Sequence, residues 1–197
     1  MTRLGIFGGS FDPPHLAHLR VARTACDHLK LNRLLWIPAG VPPHKMDLTI
    51  SDKAQRVQMT ELMVKEDPRF ELDLRETKVD SPSYSVATIQ SLRDEFPEAH
   101  LFMIVGEDQL RDFAKWKQPE KIVELADLVC YKRTGSSEER PIASVSEAAS
   151  LTWLPGEPVN LSSTEIRDAV RKGASIQDLV PDTIGEYIKS SGLYLSA

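Results

Sequence analysis

The chain has 197 residues, 41% hydrophobic and 27% charged, which is soluble-globular composition with room for one domain (1–197) and a sizeable core. A net charge of −5 excludes a general polyanion-binding surface, so nucleic acid is not an expected partner and any phosphate must meet locally placed donors. No apolar run approaches the ~20 residues of a membrane span, no secretory leader opens the chain, and Cys26 and Cys130 form no CxxC pattern; a cytoplasmic protein with reduced thiols is expected.

LGIFG (4–8) is a short apolar run stopped by Gly8-Gly9, a buried strand by length and flanks. Asp12 as N-cap and Pro13 as first residue predict a helix to about Lys30, with Leu16, Leu19, Val21, Ala22, Ala25, Cys26 and Leu29 as its buried stripe. RLLWIPA (33–39) is a second buried strand, ended by the loop AGVPPHK. Ser51 or Asp52 caps a helix to about Glu66, with Val57, Leu62 and Met63 inward, and Asp67-Pro68 stops it. RFELDLRE (69–76) alternates as a strand, and SPSYSVATIQSLRDEF (81–96) opens a helix after Pro82.

HLFMIVG (100–106) is the most continuous apolar strand and is expected at the centre of the sheet. The helix PEKIVELA (119–126) leads into the strand DLVCYKR (127–133). Residues 134–149 are polar and small, a surface loop, before the short strand LTWLP (151–155). LSSTEIRDAVRKG (161–173) and PDTIGEYIKSSG (181–192) are the closing helices. Trp36 and Trp153 lie in strands and are expected in the core.

Strand and helix alternate almost throughout, which predicts an α/β fold: a single Rossmann-like, doubly wound parallel sheet with helices on both faces. Such sheets bind ligands beyond the carboxyl ends of their strands. GGSFDPPH, AGVPPHK, GEDQ and KRTG each follow a predicted strand, so they are expected to line one crevice.

The first of these loops sits in GIFGGSFDPPHLAH (5–18). A glycine turn feeding a helix start exposes backbone N–H groups to an anion. Neither G-x-x-x-x-G-K-[ST] nor G-x-G-x-x-G is present, which argues against a P-loop and against a nicotinamide-dependent dehydrogenase. With Asp12 as cap, His15 and His18 share one helix face near its positive end, where a buried histidine has no evident structural role. Zinc would also use paired histidines, but no carboxylate or thiolate stands at ligand spacing, so no protein-bound metal is expected. Paired imidazoles can instead donate to a polyphosphate as charge grows in a transition state. In LSSTEIR, Ser162 and Glu165 form a capping box with Leu161 and Ile166 as hydrophobic staple, and Arg167 stands beside the amides of Ser163 and Thr164 as an anion site.

GSFDPPHLAH resembles the GxFDPxHxGH signature of the α/β nucleotidyltransferases, and LSSTEIR resembles their ISSTxIR motif. Within that superfamily the chain is similar, over almost its whole length, to the bacterial nicotinate-mononucleotide adenylyltransferase family. Ala17 replaces the usual glycine, and Ala39 stands where asparagine is common. The resemblance implies transfer of AMP from ATP, carried with Mg²⁺, to nicotinate mononucleotide, giving deamido-NAD and pyrophosphate in NAD biosynthesis. It implies catalysis by His15, His18 and Arg167, with ATP held by Gly8, Gly9, Ser10, Phe11, Gly106, Asp108, Ser162, Ser163 and Thr164. For the acceptor it implies His44 and Lys45 on the mononucleotide phosphate; Ser83, Tyr84 and Ser85 on the pyridine carboxylate; and Trp116 against the ring, with Lys117 and Arg133 nearby. Nicotinamide mononucleotide or phosphopantetheine as acceptor, a non-catalytic nucleotide sensor, and homo-oligomerisation stay open at this point.

Overall fold

The computed structural model describes residues 1–40, 51–79, 83–131, 151–157 and 160–195. They form six strands in one all-parallel sheet: β1 (Arg3–Gly9), β2 (Arg33–Pro38), β3 (Phe70–Leu72), β4 (His100–Gly106), β5 (Asp127–Tyr131) and β6 (Leu151–Trp153). Their spatial order is β3-β2-β1-β4-β5-β6. The order reverses between β1 and β4, so a crevice opens beyond Gly9 and Gly106, where doubly wound sheets bind their ligands. The helices are α1 (Leu16–His28), α2 (Lys53–Val64), α3 (Ser85–Glu95), α4 (Glu107–Arg111), α5 (Pro119–Leu125), α6 (Ser163–Arg171) and α7 (Asp182–Ser190). Among the described residues no helix is long and apolar enough to cross a membrane.

Each strand sends alternate side chains to opposite faces, because the pleat has a period of two. Along β4, Leu101, Met103 and Val105 join Leu4, Ile6, Ile89, Leu92 and Ile122 in one core. Phe102 and Ile104 join Phe7, Trp36, Met59, Met63, Ile166 and Ile184 in the other. The two cores put α3 and α5 on one face of the sheet, and α1, α2, α6 and α7 on the other. Cys26 and Cys130 are buried free thiols.

Several elements differ from their sequence reading. α1 begins at Leu16 rather than Pro13, and Leu16 is 36% exposed while Ala17 is buried. β3 stops at Leu72, because the Asp73 carboxylate takes the Arg75 amide at 2.9 Å and Thr77 N–H bonds Leu74 C=O at 3.1 Å, turning the chain. α3 starts at Ser85 with Tyr84 at the cap position, two residues later than a start after Pro82. The inward face of α2 carries Arg56, Met59, Thr60 and Met63, with Val57 and Leu62 only partly buried. Trp36 is fully buried, whereas Trp153, on the edge strand β6, is half-buried. The loop at 134–149, most of AGVPPHK, and the end of the strand expected over 127–133 lie outside the described residues.

Candidate active site

Residues 10–15 leave β1 and reach α1 through Phe11, whose φ of 49° is left-handed, and through a cis Asp12–Pro13 peptide. The cap of α1 is not Asp12 but His15. His18 N–H approaches His15 Nδ1 at 3.4 Å, and His15 N–H donates to His18 Nδ1 at 3.2 Å. This is a capping box built from two imidazoles. The rings stack with centroids 3.6 Å apart, and His18 meets the edges of Phe7 and Phe11 at 5.9 and 5.4 Å. The histidines therefore have the structural role that the sequence reading denied them. The cap also sets their chemistry: with both Nδ1 atoms accepting, the neutral rings carry their protons on Nε2, as donors.

Asp12 is unavailable as a cap because its side chain is turned inward. At 1% exposure its carboxylate accepts from Tyr194 Oη at 2.7 Å and from Ser51 N–H at 3.2 Å. Arg167 closes the loop from the far side: its Nη1 donates to the Asp12 carbonyl at 2.8 Å and stands 3.9 Å from the carboxylate. Ser163 Oγ donates to the Pro13 carbonyl at 2.9 Å. The beginnings of α1 and α6 thus face each other across a few ångströms, although they lie about 150 residues apart. Ser162 caps α6 as its sequence motif predicts: Glu165 N–H donates to Ser162 Oγ at 3.3 Å, and Glu165 Oε2 takes Ser162 N–H at 2.7 Å. The amides of Ser163 and Thr164 open α6, where no intrahelical acceptor exists.

These elements border a cavity of about 1070 Å³ at the carboxyl end of the sheet. Gly8, Gly9, Ser10, Phe11, His15 and His18 line it from the first loop, and Ser162, Ser163, Thr164 and Arg167 from the second. The Phe11 ring itself packs into the core beside Phe7 and Trp36. Gly106 and Asp108 line it after β4, where GEDQ begins α4 and Gln109 Oε1 occupies the Gly106 amide at 2.9 Å. Ser83, Tyr84, Ser85, Trp116 and Lys117 line it on the remaining side. No side chain caps α3, and the buried Ser83 hydroxyl has no partner among the described residues. Trp116 rests on Phe113 at 5.3 Å, half-buried, and Lys117 Nζ lies 4.3 Å from the centre of the Tyr84 ring. His44, Lys45 and Arg133 lie outside the described residues. A separate cavity of about 280 Å³ beside Arg20, Thr24 and Leu154 shares only Tyr131 with this one and none of the motifs.

Two groups at the site escaped the sequence reading. Arg56, 2% exposed, donates from Nη1 to Ser10 C=O at 3.1 Å and Ala39 C=O at 2.7 Å, and from Nη2 to Gly40 C=O at 2.9 Å. It ties the loop after β1 to the loop after β2, and burial pulls its pKa below the usual arginine range. Its signal was present: an arginine at the spacing of Met59, Thr60 and Met63 on the inward face of α2. Tyr194, from the C-terminal stretch, carried no comparable signal.

The family model described as Cytidylyltransferase-like matches residues 6–169. A probable nicotinate-nucleotide adenylyltransferase of Thermus thermophilus is 42% identical over 193 residues, covering 98% of this chain and 99% of that one. One of Clostridium tetani is 36% identical over 199 residues, covering 98% and 100%. The fold is similar to that of Plasmodium falciparum nicotinic acid mononucleotide adenylyltransferase complexed with APC, with a TM-score of 0.81 at 17% identity over 98% of both chains. The same enzyme complexed with NaAD gives 0.80 at 18%. A match to the family model over most of the chain, together with full-length relatives well above 30% identity, means that this chain belongs to the cytidylyltransferase-like family, among the nicotinate-nucleotide adenylyltransferases.

Proposed function

We propose that the protein transfers the adenylyl group of ATP to nicotinate mononucleotide, giving deamido-NAD and pyrophosphate, as a step of NAD biosynthesis. One observation carries the reading: the starts of α1 and α6 oppose each other within hydrogen-bond reach, with two imidazoles on one side and a guanidinium on the other. Two helix N-termini and these donors suit a triphosphate.

In this reading the acceptor phosphate attacks the α-phosphorus in line, an O–P bond forms, and the bond to the β-phosphate breaks as pyrophosphate leaves. A phosphate dianion is already nucleophilic at neutral pH, so no general base or covalent intermediate is needed. Catalysis comes from positioning and charge neutralisation. His15 and His18 donate from Nε2 to the α- and β-phosphate oxygens, and Arg167 with the Ser163 and Thr164 amides takes charge growing on the leaving group. Gly8, Gly9 and Ser10 admit the phosphates close to backbone, and Gly106 and Asp108 face the ribose.

Mg²⁺ would enter with ATP, bound to its phosphate oxygens, and would supply further neutralisation of the leaving group. The donor set fits that arrangement: imidazole, guanidinium and hydroxyl groups line the phosphate end of the cleft, while the Asp12 carboxylate is already engaged inside the protein. For the acceptor, the start of α3 with Ser83, Tyr84 and Ser85 takes the pyridine carboxylate. Trp116 stacks on the cationic ring, a contact worth ~0.5–2 kcal/mol, and Lys117, His44, Lys45 and Arg133 serve the phosphate.

Pyrophosphate release, measured with ATP and either nicotinate or nicotinamide mononucleotide, tests the reading. A higher kcat/KM for the acid is expected. Preference for the amide would overturn the acceptor assignment, and no release with either would overturn the reaction.

A further inference from the structure

The geometry points to Tyr194, carried by the C-terminal stretch, as a positioning residue that acts through Asp12 to aim Arg167 at the nucleotide. The inference rests on the adenylyl transfer proposed above. A carboxylate removed from water is tolerated only when its oxygens are satisfied. The Asp12 carboxylate is almost fully buried, and it accepts hydrogen bonds from Tyr194 Oη on one oxygen and Ser51 N–H on the other. The same residue, through its carbonyl, receives the hydrogen bond from Arg167 Nη1. A displaced Asp12 therefore displaces the acceptor on which the guanidinium is hung. Thr164 Oγ1 holds the other terminal nitrogen of Arg167 at 3.2 Å, and it lies on α6 itself. Asp12 thus supplies the bond that registers Arg167 against the first loop.

Tyr194 is built for this contact. Leu193 N–H bonds Ile188 C=O at 3.0 Å behind α7, and Leu193 is buried in the core. Gly192 and Tyr194 both take positive φ, 60° and 64°, which turns the chain end back over the loop. Ile184 and Ile188 anchor α7 in the core that also holds Phe11 and Met59. Burial and the neighbouring Asp12 carboxylate both push the tyrosine pKa up, so the phenol stays a donor. A residue 182 positions from Asp12 in sequence thereby completes the site.

Tyr194→Phe removes the donor and keeps the ring. Steady-state kinetics should show kcat/KM for ATP lowered about tenfold with the acceptor KM within about twofold, the split expected of a misaimed triphosphate group. Tyr187→Phe, on α7, is the control and leaves both unchanged. In an Arg167→Ala background Tyr194→Phe should cost less than about twofold more, because the group it aims is gone. Its effect on Tm should be the same in both backgrounds. A tenfold loss that persists in the Arg167→Ala background, or no loss in the native background, overturns the proposal. If Tyr194→Phe does not fold, Asp12→Ala takes its place in the cycle: it removes the carboxylate that Tyr194 holds while leaving the carbonyl for Arg167, and the same two outcomes decide. Wild-type protein that releases no pyrophosphate sinks the reading of the reaction instead. The cycle is then read in the Kd for ATP, where coupling supports the role of Tyr194 and additivity overturns it.

Discussion

Replacing His18 with alanine separates its place in the helix cap from the catalytic task proposed for it. Its Nδ1 accepts the His15 amide at 3.2 Å, and its edge contacts with Phe7 and Phe11 seat it on the aromatic floor. Loss of a cap costs about 1 kcal/mol and loss of such ring contacts roughly 0.5–1, so stability should fall by about 1–2 kcal/mol and Tm by ~3–8 °C. In the proposed reaction, loss of the Nε2 donor slows the chemical step. One donor aimed at developing charge is worth about 2.7–4 kcal/mol, which is about 10²–10³ in kcat, with modest change in KM for ATP. His18→Asn sharpens the test, since an amide oxygen near the place of Nδ1 can keep the cap but cannot reach where Nε2 reaches. Most of the Tm should return while kcat stays low. Calorimetry gives the first quantity and pyrophosphate release at saturating substrates the second. A kcat within about threefold of wild type in His18→Ala, with the Tm fall intact, would show that the imidazole pair is only a helix cap.

Two further outcomes are expected. A Cβ added at Gly8 meets no atom of the described residues within 4 Å, and Gly8 lines the cavity, so Gly8→Ala should leave Tm almost unchanged yet raise the ATP KM at least about tenfold, as a backbone approached by phosphate requires; an unchanged KM would show that nothing comes close there. Burial pushes the Cys26 and Cys130 thiols from their ordinary 9.0 up to about 12. The folded chain then keeps protons that the unfolded chain releases, so the stabilisation is complete below pH 9 and is lost as pH rises toward 12. The slope is up to about 1.4 kcal/mol per pH unit for each thiol, and Cys130→Ala should flatten it in denaturant titrations at successive pH values. A slope equal in variant and wild type would refute the assignment.

What could be read in the sequence was whatever is written as a local offset. GIFGG announces a buried strand and its stop, S-x-x-E announces the cap of α6, and alternation of strands with helices announces a parallel sheet; each is a short-range pattern with a short-range cause. The cap of α1 went astray for a reason visible only in three dimensions. Asp12 has the right chemistry and the right offset, but Tyr194 and Ser51 compete for its oxygens and win, leaving the cap to His15 three residues later. The strand expected over RFELDLRE forms but stops early at Leu72, because Asp73 satisfies the backbone at Arg75 before the ladder can continue.

The same division runs through the cleft. The groups that face the cavity, His15, His18, Ser163, Thr164 and Arg167, sit in two motifs that can be read residue by residue. The groups that hold those motifs in place, Arg56 on α2 and Tyr194 at the chain end, belong to neither and reach them across 46 and 182 positions. A ligand's demands on its neighbours are local in space and were compressed into local sequence. Rigidity has no such constraint, since any buried donor that arrives at the right carbonyl or carboxylate will serve. Two chains could therefore share both motifs and still differ in rate, if one lacks the donor that fixes Asp12 beneath Arg167.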